Sequence, residues 1–234
     1  MKTFVIKLGG SMVSRDRDNL FDFDYLHRFS DSIRKLTKYN KKFFITLGGG
    51  YLMRMYRDMA KKGGIKEDLQ LHWIGTTINN LHAEIVRAYM HEIANDRIVA
   101  YEDYYSDSKI EFERDIIVGG GGRAGHSGDV DALVAANKFN IDTIISLKNV
   151  DGVYTKDPKE YKDAKRLDSL SWDQYLEIIG NPEKHKPGAN FPIDPIASRR
   201  AQKAKKQFIV ISGEDLKNLE NVIMDESFIG TIVK

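Results

Sequence analysis

Lys7 stands at the carboxyl end of an apolar run, residues 3–8, and is followed at once by Gly9-Gly10-Ser11. An ammonium group so placed can neutralise charge on a moving phosphoryl group while main-chain amides hold its oxygens. The pattern recurs twice: residues 43–47 lead into Gly48-Gly49-Gly50, and residues 115–118 lead into Gly119-Gly120-Gly121-Gly122. Glycine between a strand and a helix lets N–H groups crowd around an anion, and in open α/β sheets ligands gather at the carboxyl ends of strands. Arg54 lies one helical turn past Gly50 and can reach back toward the same anion, whereas Arg57 reads as a solvated helix residue. Three cradles and one lysine point to more than one phosphate-bearing ligand. Phosphoryl transfer is the economical chemistry.

The third cluster runs on through Arg123-Ala124-Gly125-His126-Ser127-Gly128-Asp129 into a helix whose first turn also holds Asp131. Ser127 fits a helix cap and the acids suit the helix dipole, but a carboxylate among phosphate-seeking groups could equally orient lysines or attract magnesium. Gly120, Gly122 and Gly125 also satisfy G-x-G-x-x-G, which raises a dinucleotide-binding oxidoreductase as a rival; four consecutive glycines meet that pattern easily. A Walker A loop is absent from the sequence. The segment 148–158, at a strand end, could flank a base with Tyr154, bond a ribose with an acid and offer Lys156 to phosphates, or be an ordinary loop over the sheet edge.

These residues need a scaffold of parallel strands with helices on both faces. Strand-like runs at 3–8, 43–47, 98–100, 115–118, 142–147 and 207–211 alternate with helix-like segments at 21–38, 51–62, 69–90, 129–138, 172–178, 195–205 and 215–223, and residues 230–233 read as a short edge strand. With 234 residues, the chain can bury a core without staples. A net charge of +2 offers no strong argument for nucleic acid or an anionic membrane as partner, and neither is expected; any polyanion binding should be local. No cysteine, signal-peptide pattern or bilayer-length apolar run occurs, so the expectation is a cytoplasmic protein. Trp73 with Ile74, Ile78 and Leu81 reads as packing. His82, His91 and His185 lack metal-ligand spacing, so no protein metal centre is expected, and Arg199, Arg200, Lys203, Lys205 and Lys206 read as a solvated helix face.

Lys7–Ser11, Gly48–Gly50 with Arg54, residues 125–129, the string Asn149-Val150-Asp151-Gly152-Val153-Tyr154-Thr155-Lys156-Asp157-Pro158 and Pro187-Gly188-Ala189-Asn190 together resemble the amino acid kinase superfamily, most of all uridylate (UMP) kinases of the archaeal type. The resemblance runs through the whole chain. It implies a three-layer αβα sandwich with a mostly parallel central sheet, built as one domain at 1–234 with an acceptor-binding half at about 1–140 and an ATP-binding half at about 141–234. It implies ATP and Mg²⁺ as cofactors, UMP as the favoured acceptor, and a homo-oligomer, dimer or hexamer. Another small phosphate or carboxylate acceptor, or a non-catalytic nucleotide- or oxyanion-binding relative, stands as the alternative.

By the same resemblance Lys7 stabilises the transferring group, and Gly9, Gly10 and Ser11 hold ATP phosphates. Asp129 organises the lysine and metal region, with Asp194 as a further carboxylate nearby. Asn149, Asp151, Tyr154, Lys156, Asp157 and Pro158 frame ATP. Gly48, Gly49, Gly50, Arg54 and His72 serve the acceptor, joined by Gly122, Arg123, Gly125, His126 and Ser127. The acceptor half departs from the family's usual pattern: His72 replaces an aspartate that bonds ribose, Asn80 an arginine, and Gly128 a threonine. A neutral imidazole offers one acceptor at most, where a carboxylate can take both ribose hydroxyls.

Overall fold

The computed structural model describes residues 2–107, 109–182 and 191–234. Strand β1 (Lys2–Leu8) leads through the four-residue helix α1 (Gly10–Val13) to α2 (Phe23–Thr37), then β2 (Lys41–Leu47), α3 (Gly50–Lys62) and the long α4 (Asp68–Tyr89). Next come β3 (Ile116–Gly119), α5 (Gly128–Lys138) and β4 (Thr143–Lys148). Short strands β5 (Val153–Tyr154), β6 (Arg166–Leu167) and β7 (Ser169–Leu170) precede α6 (Trp172–Ile178), α7 (Pro195–Lys203), β8 (Gln207–Ser212), α8 (Leu216–Ile223) and β9 (Thr231–Val233). One sheet of seven strands orders them β3-β2-β1-β4-β8-β9-β7, and β5 and β6 form a separate antiparallel pair. The five strands from β3 to β8 are parallel, so their carboxyl ends share one edge of the sheet.

Buried central strands read as continuous apolar runs because helices cover both faces. On one face Phe4, Ile6 and Leu8 pack with Tyr25, Leu26, Phe29 and Ile33 of α2, Val86 of α4 and Leu219 of α8. On the other, Val5 and Phe44 meet Val130 and Leu133 of α5, Tyr175 of α6 and Ala197 of α7. Successive strand residues alternate between faces. Lys7 therefore shares the α5 face with Val5. In β4, Ile144 faces α5 while Ile145 and Leu147 face α2 and α8, which puts Lys148 on the α5 face as well.

Three expectations are corrected. Residues 98–100 form no strand: Val99 makes a single bridge to Gly119, and the chain then turns at Ala100 into a short 3-10 helix at Tyr101–Tyr104. The C-terminal strand is not an edge. β9 lies antiparallel to β8 and takes β7 on its outer side, with Lys234 N–H donating to Leu170 O at 3.0 Å and Trp172 N–H to Lys234 O at 3.1 Å. Trp73 is 41 % exposed on the solvent side of α4, as is Leu81, while Ile78 is buried; Trp73 stacks obliquely on Tyr101 instead. Among the described residues no helix is long and apolar enough to cross a membrane.

The tips of β1 and β2 meet with almost no room between them. A Cβ built at Gly10 would lie 2.1 Å from the Gly50 nitrogen, and one at Gly50, whose φ of +56° already favours glycine, 2.3 Å from the Gly10 oxygen. Gly10→Ala is therefore expected to cost about 1–3 kcal/mol or more in unfolding free energy, as overpacking does. Equilibrium urea unfolding measures this, and an unchanged midpoint would show that the two tips can separate freely.

Candidate active site

The carboxyl ends of β1, β2 and β4 and the N-termini of four helices open onto one cavity of about 460 Å³. Gly9, Gly10 and Ser11 come from the start of α1, Gly48, Gly49 and Gly50 from the start of α3, Ser127, Gly128 and Asp129 from the start of α5, and Asp194 from the cap of α7. Free N–H groups and helix dipoles at such ends favour bound anions. Ser127 caps α5, its hydroxyl accepting from Val130 N–H at 3.4 Å. Asp194 caps α7, its Oδ1 accepting from Ile196 and Ala197 N–H at 2.9 and 3.0 Å.

At the cavity floor one carboxylate is shared by two ammonium groups. Lys7 Nζ lies 3.5 Å from Asp129 Oδ1, and Lys148 Nζ lies 3.2 and 3.3 Å from Asp129 Oδ1 and Oδ2. Asp194 N–H donates to Asp129 Oδ2 at 3.1 Å. Burial pushes the Asp129 carboxyl up, but Lys148, Lys7 and the Asp194 N–H outweigh it and hold it below the usual carboxylate range. Burial, opposed by Asp129 and reinforced by the Lys7 charge, pulls the Lys148 ammonium down to about 7. Lys148 was not singled out by sequence reasoning. The signal was present in the strand's alternation, which gives Lys148 the face that Lys7 occupies.

Arg54, Arg57, His72 and His126 also line the cavity, as do Thr76 and Asn79. Arg54 is exposed on its outer side. Arg57, expected in solvent, is only 8 % exposed, because seven residues carry it two turns from Gly50 onto the same helix face. Burial lowers its pKa, yet a guanidinium stays charged. Asn79 was also missed: it is buried, and its Oδ1 has no hydrogen-bond partner among the described residues. His82 Nδ1 sits 2.9 Å from Gly48 O and so fixes the second glycine tip from behind. Asn80 faces away from the cavity, its Oδ1 accepting from Gly121 N–H at 2.7 Å.

Three expected acceptor residues do not line this cavity. Gly122 packs beneath it with its N–H toward Asp131 Oδ2 at 3.3 Å, Arg123 lies over the Tyr105 ring with an ion pair to Glu102, and Gly125 turns the loop at φ +87°. Tyr105 and His126 are joined at 2.7 Å, which seats the imidazole. Lys206, expected in solvent, is buried and paired with Asp142 at 2.9 Å.

A second cavity, of about 220 Å³, adjoins the first. Asn149, Tyr154, Lys156, Asp157 and Pro158 line it, with Ile178 and Ile179 as an apolar side; Lys148, Asn149 and Phe191 border both spaces. Asp151 serves the frame, accepting from Tyr154 Oη at 2.8 Å and Arg166 at 3.1 Å. Residues 187–190 lie outside the described residues.

The sequence profile described as "Amino acid kinase family" matches residues 2–212. This chain belongs to the amino acid kinase family. A protein named uridylate kinase from Thermoplasma volcanium is 31 % identical over all of this chain and 98 % of its own length. The crystal structure of uridylate kinase from Archaeoglobus fulgidus superposes with a TM-score of 0.81 at 28 % identity, covering all of both chains. A UMP kinase structure from Bacillus anthracis shares the fold, with a TM-score of 0.78 at 20 % identity over all of this chain and 95 % of that one. The sheet with helices on both faces is thus the architecture of this family.

Asp131, next to the cluster, gives a pH-dependent consequence. Burial, reinforced by Asp129 and only partly opposed by the Gly122 N–H, raises it to about 8, and its Oδ1 has no hydrogen-bond partner among the described residues. A carboxyl whose folded pKa is raised binds its proton more tightly in the native state, so the stability it contributes is present at acid pH and lost as pH rises from about 4 to about 8. Asp131→Asn is expected to raise the thermal midpoint more at pH 8 than at pH 5. Equal shifts at both values in a thermal scan would contradict a neutral Asp131.

Proposed function

We propose that this protein transfers the γ-phosphoryl group of ATP to UMP, giving ADP and UDP. The observation that carries the reading is the Lys7–Asp129–Lys148 cluster, which lines the larger cavity together with two glycine tips and reaches the smaller one through Lys148. Full-length similarity to proteins named uridylate kinase supports the choice of acceptor. A phosphate acceptor is already a nucleophile near neutral pH, so the site needs positioning and charge neutralisation more than a base.

In this reading an acceptor-phosphate oxygen bonds to the γ-phosphorus, the bond from that phosphorus to the β–γ bridging oxygen breaks, and its electron pair leaves with ADP. Lys7 neutralises the moving charge, and Asp129 holds Lys7 in place. Gly9, Gly10 and Ser11 cradle donor phosphates, and Asn149, Tyr154, Lys156, Asp157 and Pro158 frame the rest of the nucleotide, with Asp151 stiffening that loop. The residues fit the donor: the main chain at the start of α1 and the ammonium groups of Lys7 and Lys148 line the same cavity, the chemistry that phosphate oxygens require. Mg²⁺ accompanying the nucleotide would supply further charge neutralisation. Asp129 is engaged by two ammonium groups and an N–H, and Asp194 Oδ1 by two cap bonds, so such an ion would take its ligands mainly from phosphate oxygens and water.

Gly48, Gly49, Gly50, Arg54 and Arg57 would hold the acceptor phosphate. His72, His126 and Ser127 complete that wall, and Asn79 Oδ1 would accept from a ribose hydroxyl. Residues 1–140 thus supply most of the acceptor side of a single domain and residues 141–234 most of the donor side. Homo-oligomeric assembly, as a dimer or hexamer, belongs to the same reading and is supported by the exposed Leu69, Trp73 and Leu81 along α4.

A coupled assay of ADP release with UMP, CMP, AMP and small phosphates tests the reading. UMP should be the preferred acceptor, and Lys7→Ala should lower turnover about 100-fold or more. Release with another acceptor and none with UMP would overturn it. Arg57→Ala should raise the KM for UMP about tenfold or more, the loss of a charge-assisted bond, with little change in the KM for ATP. An equal rise in both would remove Arg57 from the acceptor side.

A further inference from the structure

We infer that Lys148 is a second catalytic cation, which with Lys7 meets the phosphoryl group as it passes from the donor to the acceptor phosphate. The inference deepens the phosphotransfer reading and rests on it. Lys148 closes β4 on the α5 face, its side chain is 12 % exposed, and it borders both the larger and the smaller cavity. Lys7 borders the larger one only. The glycine tips assigned to the donor and acceptor phosphates line the larger cavity together with both lysines.

The charge count separates this role from a merely structural one. With Lys148 protonated, as a bound polyphosphate would hold it, Lys7 and Lys148 contribute two positive charges and Asp129 one negative charge, so the loaded cluster carries one net positive charge. Had Lys148 served only to balance a buried carboxylate, Lys7 alone would have been enough, and a second buried ammonium would be an expense without return. The surplus charge points into the space where phosphates gather. The groups facing Lys148 are Asp129 from α5, Lys7 from β1 and, through its N–H on Asp129, Asp194 from the cap of α7. Burial and the neighbouring Lys7 charge lower the Lys148 pKa toward neutrality, so an arriving polyphosphate would draw a proton onto it. Lys148 remains protonated through the step and transfers no proton.

The test compares wild type with Lys148→Met, Lys148→Arg and Lys148→Met/Asp129→Asn. Binding of ADP alone and of ADP with Mg²⁺ and aluminium fluoride, a mimic of the moving phosphoryl group, is measured by calorimetry, and kcat by ADP release. Wild type should bind the fluoroaluminate complex more tightly than ADP. Lys148→Met should lose most of that preference and about 100-fold in kcat, with ADP affinity nearly unchanged. Lys148→Arg, which keeps the cation, should recover part of both. The double variant restores the net charge but not the second ammonium, so it should stay as impaired as Lys148→Met.

Recovery in the double variant would make Lys148 a counter-ion and overturn the inference, as would a Lys148→Met enzyme with unaltered preference, or a wild type with none. Should Lys148→Met fail to fold, as read from its thermal transition, the arginine and double variants carry the comparison. The acceptor question separates cleanly: tightened fluoroaluminate binding that depends on Lys148, in an enzyme inactive on UMP, would uphold Lys148 and discard UMP.

Discussion

The Asp129 carboxylate is the point on which the site is assembled. Burying an ionised carboxylate is costly unless charge and hydrogen bonds surround it, and removing one partner of a buried pair typically costs about 3–5 kcal/mol. Here the partners come from elements far apart in the chain: Lys7 from β1, Lys148 from β4 and the Asp194 N–H from the cap of α7. Each depends on sheet register. A slip of one residue in β1 or β4 would turn its lysine to the α2 face, taking one cation from the carboxylate and leaving an ammonium group in the apolar core. The charged cluster and the apolar alternation therefore enforce the same register.

Around that point the structure brings main-chain amides rather than side chains. Parallel strands share one direction, so their carboxyl ends and the N-termini of the helices that follow collect at a single edge of the sheet. The close contact of Gly10 with Gly50 sets the spacing between the β1 and β2 tips at backbone-to-backbone distance. No flexible side chain intervenes. Such a site is rigid before any ligand arrives, which suits a reaction whose barrier is lowered mainly by position and by fixed positive charge.

Much of this was legible in the sequence because it depends on short-range patterns. Buried parallel strands declare themselves as apolar runs, and the glycine clusters mark where they end. What escaped notice depends on pairing or on depth. β5, β6 and β7 are two-residue segments that exist only through their partners, and β9 reads as an edge strand until β7 is placed beside it. Arg57 was assigned to solvent on composition, although helical spacing from Gly50 gives it the cavity face. Lys148 was hidden within a conspicuous loop motif, although the alternation of Ile144, Ser146 and Lys148 shares its face with Lys7. Gly122, Arg123 and Gly125 looked like ligand contacts for the opposite reason. A run of glycine cannot say which of its amides turn inward, and here the loop spends one on Asn80 and another on Asp131.

The acceptor wall shows how a recognition task can be redistributed. With imidazole at His72 and an amide at Asn80 engaged on Gly121, neither position can present two acceptors to vicinal hydroxyls. The wall instead combines the Arg54 and Arg57 guanidiniums with the Asn79 amide, whose carbonyl oxygen is buried without a partner among the described residues. A buried polar atom left unpaired costs roughly 1–3 kcal/mol, a cost that a ligand hydroxyl would relieve. Moving the hydroxyl acceptor from a charged to a neutral group also removes a negative charge from beside the incoming phosphate. In the proposed complex the acceptor phosphate would meet the Arg54 and Arg57 guanidiniums and the lysine pair that line the same cavity, with Asp129 held by both lysines.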